Sequence, residues 1–377
     1  MRQKVAVLFG GKSTEHEVSR ISAHAIIQHL DQTRFEIRMI GITKQGDWLP
    51  YCGPADCLLD GSWEAIARES LSHSGTDASA PDRKNTFGTD TANSGASCDL
   101  IPGIRAIQQC DVILPVLHGQ NGEDGTVQGL FELLDIPYVG NQVLASAVGM
   151  DKVYAKMVFA CAGIPQCRHI VVHRHILLAD ESAYIAEIES ELGYPCFVKP
   201  SNSGSSVGVY KVKCREELRP ALLAAQRFDR KVVVEEYMRG KEIECAVLGN
   251  IAASAAVPGE VVPSKEFYDY EDKYLAGTST ARIPAEIPAD KLEEVRSWAL
   301  KAYQALDCSG LARVDFFYDP AAGTVVLNEI NTLPGFTDIS MYGKLWAASG
   351  LSYSDLLTRL IELAFARKEE NRRCFHE

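Results

Sequence analysis

Val5 to Phe9 is an apolar run that stops at Gly10-Gly11 and gives way to an amphipathic stretch with Val18, Ile21 and Ala25, which spells strand, glycine turn and helix. Phe35 to Ile42 predicts a second strand. Asp111 to Leu117 predicts a third, ending at His118-Gly119 before another helical stretch. Strands alternating with helices favour a parallel sheet, so the first part of the chain is expected to be an open α/β layer. From about Asn141 the pattern changes to a helix over 151–162 and short strands around 196–199, 207–212, 231–235 and 243–249. That density of short strands suggests an antiparallel sheet with helices on one side, an α+β arrangement. The last third predicts a helix at 290–306, strands at 311–318 and 324–330, and a terminal helix over 352–368. No internal repeat interrupts this order.

At 377 residues the chain is long enough for more than one domain, since a domain takes roughly 100 to 200 residues. A cleft between domains is therefore expected. Ser72 to Ser97 is rich in Ser, Thr, Gly, Asp and Asn and nearly free of large apolar side chains, so it reads as a surface insertion. Fifty acidic against 38 basic side chains leave a net charge of -12, which opposes binding to nucleic acid or to anionic membranes. Any anionic substrate must then be met by local lysines and arginines. The 11 cysteines are scattered without a C-x-x-C pair, so neither a disulfide framework nor a cysteine zinc site is indicated. The run Val5 to Phe9 is too short for a signal-peptide core, and no apolar run approaches the roughly 20 residues that span a bilayer. A cytoplasmic protein is the expectation.

The segment richest in chemistry is Asn328-Glu329-Ile330-Asn331-Thr332-Leu333-Pro334-Gly335, just after the apolar run Val325 to Leu327. Alternate side chains of a strand share a face, so Glu329 and Asn331 should point one way and Ile330 into the core. Arg313 and Asp315 on the preceding strand have the same spacing, and pairing the two strands would bring Asp315 beside Glu329 and Asn331. Two carboxylates and an amide oxygen suit magnesium bridging nucleotide phosphates. The plainer alternative is a set of solvated polar residues on the outer face of a sheet.

A second segment runs Phe197-Val198-Lys199-Pro200-Ser201-Asn202-Ser203-Gly204-Ser205-Ser206-Val207-Gly208-Val209. A loop of small residues between two strands can fold over phosphates and offer backbone N–H groups, with Lys199 as a point charge; many such loops are simply turns. Gly10-Gly11-Lys12-Ser13 is not a P-loop, because that pattern needs a glycine where this chain has Ala6. What remains is a glycine turn that delivers Ser13, Thr14 and Glu15 to a helix N-terminus, a place favourable to anions. Glu15 there is either a first-turn partner of the helix dipole or a site carboxylate.

Taken together, the chain resembles the D-alanine:D-alanine ligases over nearly all its length except the insertion. The matching stretches are Gly10 to Ser19, Leu117-His118-Gly119 with Gly122 to Gly125, Met150-Asp151-Lys152, the Lys199 to Gly208 loop, Phe267 to Tyr270 with Lys273-Tyr274, Arg313-Val314-Asp315, and Asn328 to Gly335. The resemblance implies an ATP-grasp fold with an N-terminal α/β substrate domain over 1–140, a central subdomain over 141–235, and a C-terminal subdomain over 236–377 with a mobile loop at 264–280. It implies ATP and D-alanine as substrates, with Mg2+ or Mn2+, two ions per site, held by Asp315, Glu329 and Asn331. Lys152 and Lys199 would contact the nucleotide phosphates, Glu235 and Glu242 the adenine hinge and ribose, and Ser206 and Lys273 would also bind ATP. Arg313 and the Gly335 N–H would stabilise the tetrahedral intermediate, Glu15 with His118 would receive the first D-alanine, and Ser340 would lie near the second substrate's carboxylate.

Glu15, Ser205 and Tyr274 match a network that ties the lid and the mobile loop over the substrates. The Lys273-Tyr274 pair is that of the family's dipeptide formers, the alternative being a relative that makes D-alanyl-D-lactate or D-alanyl-D-serine; Asp272 departs from a position where relatives vary. Relatives are commonly dimers, so a homodimer serving peptidoglycan precursor synthesis is expected.

Overall fold

The computed structural model describes residues 2–74, 99–175, 181–262 and 280–372. Its first sheet comprises β1 (Gln3–Gly10), β2 (Phe35–Ile42), β3 (Trp48–Tyr51) and β4 (Val112–Val116), in the order β3-β2-β1-β4. The central strand β1 pairs in parallel with β2 and β4, and Val5 to Phe9 are fully buried, as expected of a strand covered on both faces. β3 differs from the expected parallel layer, joining β2 antiparallel at the edge. The short link from Ile42 to Trp48 explains this, because a parallel crossover needs about a dozen residues or more.

The second sheet holds β5 (His169–His173), β6 (Cys196–Pro200), β7 (Tyr210–Val212) and β8 (Lys231–Glu236), antiparallel in the order β5-β8-β6-β7. Helices Glu181–Glu191 and Arg215–Ala225 cover one face, packing Ile188, Leu218 and Leu222 onto Val172, Val198 and Val234. The strand expected over 207–212 shortens to β7, because Ser205, Ser206 and Gly208 all sit at positive φ and keep their segment looped.

The third sheet comprises β9 (Lys241–Gly249), β10 (Ser254–Ala255), β11 (Gly259–Val262), β12 (Thr280–Arg282), β13 (Gly310–Asp319) and β14 (Thr324–Asn331). It is antiparallel in the order β12-β11-β9-β13-β14, with β10 on β9. Helix Ala289–Ala305 sets Val295, Ala299 and Tyr303 against Ile243, Val314 and Phe316, and helix Lys152–Cys161 adds Ala155 and Phe159 to that core. The terminal helix Tyr353–Glu370 packs Leu356, Leu360 and Ile361 into a core shared with β1 and β4. Asn141 pins the first sheet's side to the third: its amide donates to the Leu311 and Thr332 carbonyls, both at 2.7 Å, and accepts from the Ser309 N–H at 2.8 Å.

On β13, Arg313, Asp315 and Phe317 are partly exposed while Val314, Phe316 and Tyr318 are buried. β14 alternates likewise until Asn328 and Glu329, two successive residues that both avoid the core. The cause is a bulge: Asp315 pairs with Glu329, but Phe316 pairs with Leu327, so Asn328 has no opposite residue.

Candidate active site

Two cavities lie side by side and share Gly204, Ser205 and Glu329 in their walls. The larger, about 180 Å³, is bounded by Glu15, His118, Arg313, Asn331, Gly335 and Ser340 among others. The smaller, about 130 Å³, is bounded by Lys152, Lys199, Ser206, Glu235, Glu242 and Asn328 together with apolar Phe197, Met238 and Phe317. The serine-rich loop thus forms a partition reaching from the second sheet toward the first.

Met150-Asp151-Lys152 is a helix start. Asp151 caps helix Lys152–Cys161 by accepting from the Val153 and Tyr154 N–H groups and is fixed by Ser201 Oγ at 2.6 Å and by an ion pair with Lys231. Lys152, the first helical residue, therefore projects over the loop; its Nζ donates to the Ser203 carbonyl at 2.7 Å and lies 3.3 Å from Glu329 Oε2. One turn later Lys156 is buried and reaches Glu235 Oε1 at 2.8 Å, while Lys199 Nζ lies 2.5 Å from Oε2 of the same carboxylate and donates to Asn328 Oδ1 at 3.3 Å. Burial alone would raise the Glu235 carboxyl, but the two ammonium groups outweigh it and hold it far below the usual carboxylate range. Burial lowers Lys199, yet Glu235 and Glu329 reverse this and keep it charged. Burial also pushes the nearby Cys167 thiol up to about 11, so it stays protonated. Glu235, which the resemblance puts at the adenine end, thus has both its oxygens ion-paired with protein lysines.

Glu15 opens helix His16–His29 without capping it through its side chain. Its buried carboxylate instead accepts a hydrogen bond from Ser205 Oγ. Gly119 makes room: its φ is +72°, and a Cβ there would lie 2.6 Å from Glu15 Oε2. Ser205 and Ser206 occupy the left-handed region, unusual for serine, and it is this turn that aims Ser205 at Glu15. Buried His118 stands between Ser22 Oγ at 3.4 Å and Glu123 at 3.6 Å. Burial depresses its imidazole, but Glu123 and the charge of Glu15 outweigh that, and the net direction is upward.

Across the cavity, Arg313 donates to both oxygens of Asp315 at 2.8 and 2.7 Å, and the Asn331 amide donates to Asp315 at 2.9 Å. Asp315 lies directly opposite Glu329, as the strand spacing predicts. Among the described residues no group of three or more His, Cys, Asp or Glu forms a metal cage. Two carboxylates and an amide suit instead a hard cation that takes its remaining ligands from phosphates and water. Ser340 Oγ accepts from the Thr337 N–H at 2.9 Å and closes the turn beside Gly335. Lys273, Tyr274 and nearly all of the expected loop 264–280 fall outside the described residues, as does most of the 72–97 insertion. Sequence reading did not name Lys156 or Glu244, and it gave Glu123 and Asn328 no role beyond their place in the matching stretches. For Lys156 and Glu244 a signal existed: Lys156 follows Lys152 by one helical turn, and Glu244 follows Glu242 by one strand period.

Two antiparallel sheets closing on a lysine-lined cleft, with a small-residue loop between them, define an ATP-grasp enzyme. Family profiles described as "D-ala D-ala ligase N-terminus" and "D-ala D-ala ligase C-terminus" match residues 4–141 and 158–362. The chain is 50% identical over 378 aligned positions to the D-alanine--D-alanine ligase of Acetivibrio thermocellus, covering 100% of this chain and 99% of that one. It is 52% identical to that of Ruminiclostridium cellulolyticum, covering 99% and 98%. Among solved structures, VanG D-Ala:D-Ser ligase from Enterococcus faecalis is similar at 37% identity and a TM-score of 0.78, covering 97% of this chain and 100% of that one. The D-alanine-D-alanine ligase from Coxiella burnetii is similar at 35% and 0.77, covering 98% and 95%. The chain belongs to the D-Ala–D-Ala ligase family.

Proposed function

We propose that this protein joins two D-alanine molecules into D-alanyl-D-alanine with ATP, through a D-alanyl phosphate. The observation that carries the reading is the wall shared by the two cavities, because Gly204, Ser205 and Glu329 border both the lysine-lined space and the one that holds Arg313 and Glu15. A phosphoryl group leaving a nucleotide in the first would emerge where a carboxylate sits in the second.

A carboxylate is a poor electrophile, so one oxygen of the first D-alanine attacks the γ-phosphorus, the bond to the β-phosphate oxygen breaks, and ADP leaves. The amine of the second D-alanine then attacks the acyl carbon, loses a proton, and expels phosphate. Lys152 and Lys199 spread the phosphate charge, Ser206 covers it, and Glu235 and Glu242 lie toward the nucleoside. Glu15, beside His118, takes the ammonium of the first D-alanine; Ser340 lies by the carboxylate of the second. Arg313 and the Gly335 N–H are donors for the tetrahedral oxyanion. Magnesium or manganese, two ions per site, would be held by Asp315, Glu329 and Asn331 and supplies charge neutralisation of the phosphate oxygens. By the family resemblance Lys273 would contact ATP and Tyr274 would act with Glu15 and Ser205, and the site must keep water from the acyl phosphate. A cytoplasmic homodimer making a peptidoglycan precursor is the setting we infer.

The test is phosphate release from ATP with D-alanine, L-alanine, D-serine or D-lactate offered separately, followed by product analysis. Release with D-alanine and dipeptide as the main product from mixtures is expected. A dominant D-alanyl-D-serine or D-alanyl-D-lactate product would replace this reading by the other activity.

A further inference from the structure

Glu244 on β9 lies directly opposite Asp315, which in turn lies opposite Glu329, so three carboxylates form a row across adjacent strands on the cleft face. Glu244 lines the larger cavity and is only 7% exposed. Its Oε2 lies 3.0 Å from Arg313 Nε, the same nitrogen that donates to Asp315 Oδ1 at 2.8 Å. One guanidinium is therefore hydrogen-bonded to Asp315 and within ion-pair distance of Glu244. Asp315 meanwhile accepts from Arg313 Nε, from Arg313 Nη2 at 2.7 Å and from the Asn331 amide at 2.9 Å.

A cation approaching Asp315 must compete with these donors and is repelled by the guanidinium charge. The competition eases if Arg313 has another carboxylate to lean on. We propose that Glu244 is the positioning residue that receives Arg313 as Asp315 turns to the cation, keeping the guanidinium beside Gly335 with its donors toward the oxyanion. This rests on the reading of Asp315 as a cation ligand given above. Glu244 is not itself a ligand in this scheme; it acts through Arg313.

Mn2+ binding to the full-length chain, followed by electron paramagnetic resonance with a non-hydrolysable ATP analogue present, tests the handover without turnover. Glu244→Gln should raise the apparent Kd for Mn2+ about tenfold, the change that loss of one charged hydrogen bond corresponds to. Glu244→Asp should restore part of it, and should Glu244→Gln fail to fold, Glu244→Asp alone must still weaken Mn2+ measurably. In an Arg313→Met background the Glu244→Gln change should add less than about twofold, because the residue has nothing left to receive. An unchanged Kd in the single variant, or an equal loss with and without Arg313, overturns the proposal; the latter would make Glu244 a direct electrostatic partner of the ion. Asp315→Asn is the control for the underlying reading: if it leaves Mn2+ binding intact, the cation assignment itself falls.

Discussion

The cleft contains two clusters of opposite charge that are built from similar parts. In the trio of Lys156, Glu235 and Lys199, two ammonium groups flank one buried carboxylate, leaving one net positive charge with every partner within 2.8 Å. In the row of Glu244, Asp315 and Glu329, three carboxylates adjoin the Arg313 guanidinium, and among the described residues Lys152 also stands 3.3 Å from Glu329. Lys156 is buried, Lys199 and Glu235 border the smaller cavity, and Glu244 and Glu329 border the larger. In the trio each buried charge meets an opposite one within the protein, as charges removed from water must if they are not to destabilise the fold. The two clusters are thereby divided by the sign of their charge.

That division can be broken by substitution. Glu329→Gln should lower ATP turnover by about 10²-fold or more, as loss of a preorganised charge at a phosphoryl site does, while the urea midpoint stays close to that of the parent. A variant that loses activity only by unfolding would erase the distinction between row and trio. Lys156→Met should act on stability first: it removes one of the two ammonium groups on the buried Glu235 carboxylate, and because Lys199 still pairs with that carboxylate the cost in urea unfolding should be about 1.5 to 3 kcal/mol; an unchanged urea midpoint would show that Lys156 does not support the fold.

Acid titration sharpens the contrast. The folded-state pKa of Glu235 lies below its ordinary value of 4.5, so its contribution is fully present above that value and is lost as pH falls below it toward the folded pKa. Urea midpoints followed from pH 5 downward should drop more steeply for the parent than for Glu235→Gln; parallel curves would show that the trio carries no such linkage. The smallest effect concerns the partition between the cavities. Ser205→Ala removes the hydroxyl that donates to Glu15, a change of about 0.5 to 1.5 kcal/mol, which should appear as a several-fold lower kcat/KM for D-alanine with an unaltered KM for ATP. A change confined to ATP would sever that bond from the substrate side.

The row was largely legible in the sequence because a strand writes its faces at every second residue: Arg313 with Asp315 and Glu329 with Asn331 declare a common side once β13 and β14 pair. Glu244 obeys the same period after Glu242 but sits in an apolar strand whose partner cannot be read locally. Lys156 was harder to find, since a lysine in helix Lys152–Cys161 usually faces water and here is buried only because Glu235, nearly eighty residues on, meets it. The two roles open to Glu15 differ only in a contact with Ser205, made 190 residues away in the chain. Local pattern yields elements and faces; partners brought together from distant segments need the fold.

The Asn328 bulge can be restated as a matter of counting. Between two successive rungs of the ladder β13 advances by one residue, Asp315 to Phe316, while β14 advances by two, Glu329 to Leu327. Without Asn328 every one of those rungs would keep both its residues, and the ladder would be more regular for the loss. The surplus residue is therefore superfluous to the sheet's arithmetic, and it sets an amide oxygen before Lys199. The strand is one residue longer than its architecture requires, and the excess length is spent on the neighbouring cavity.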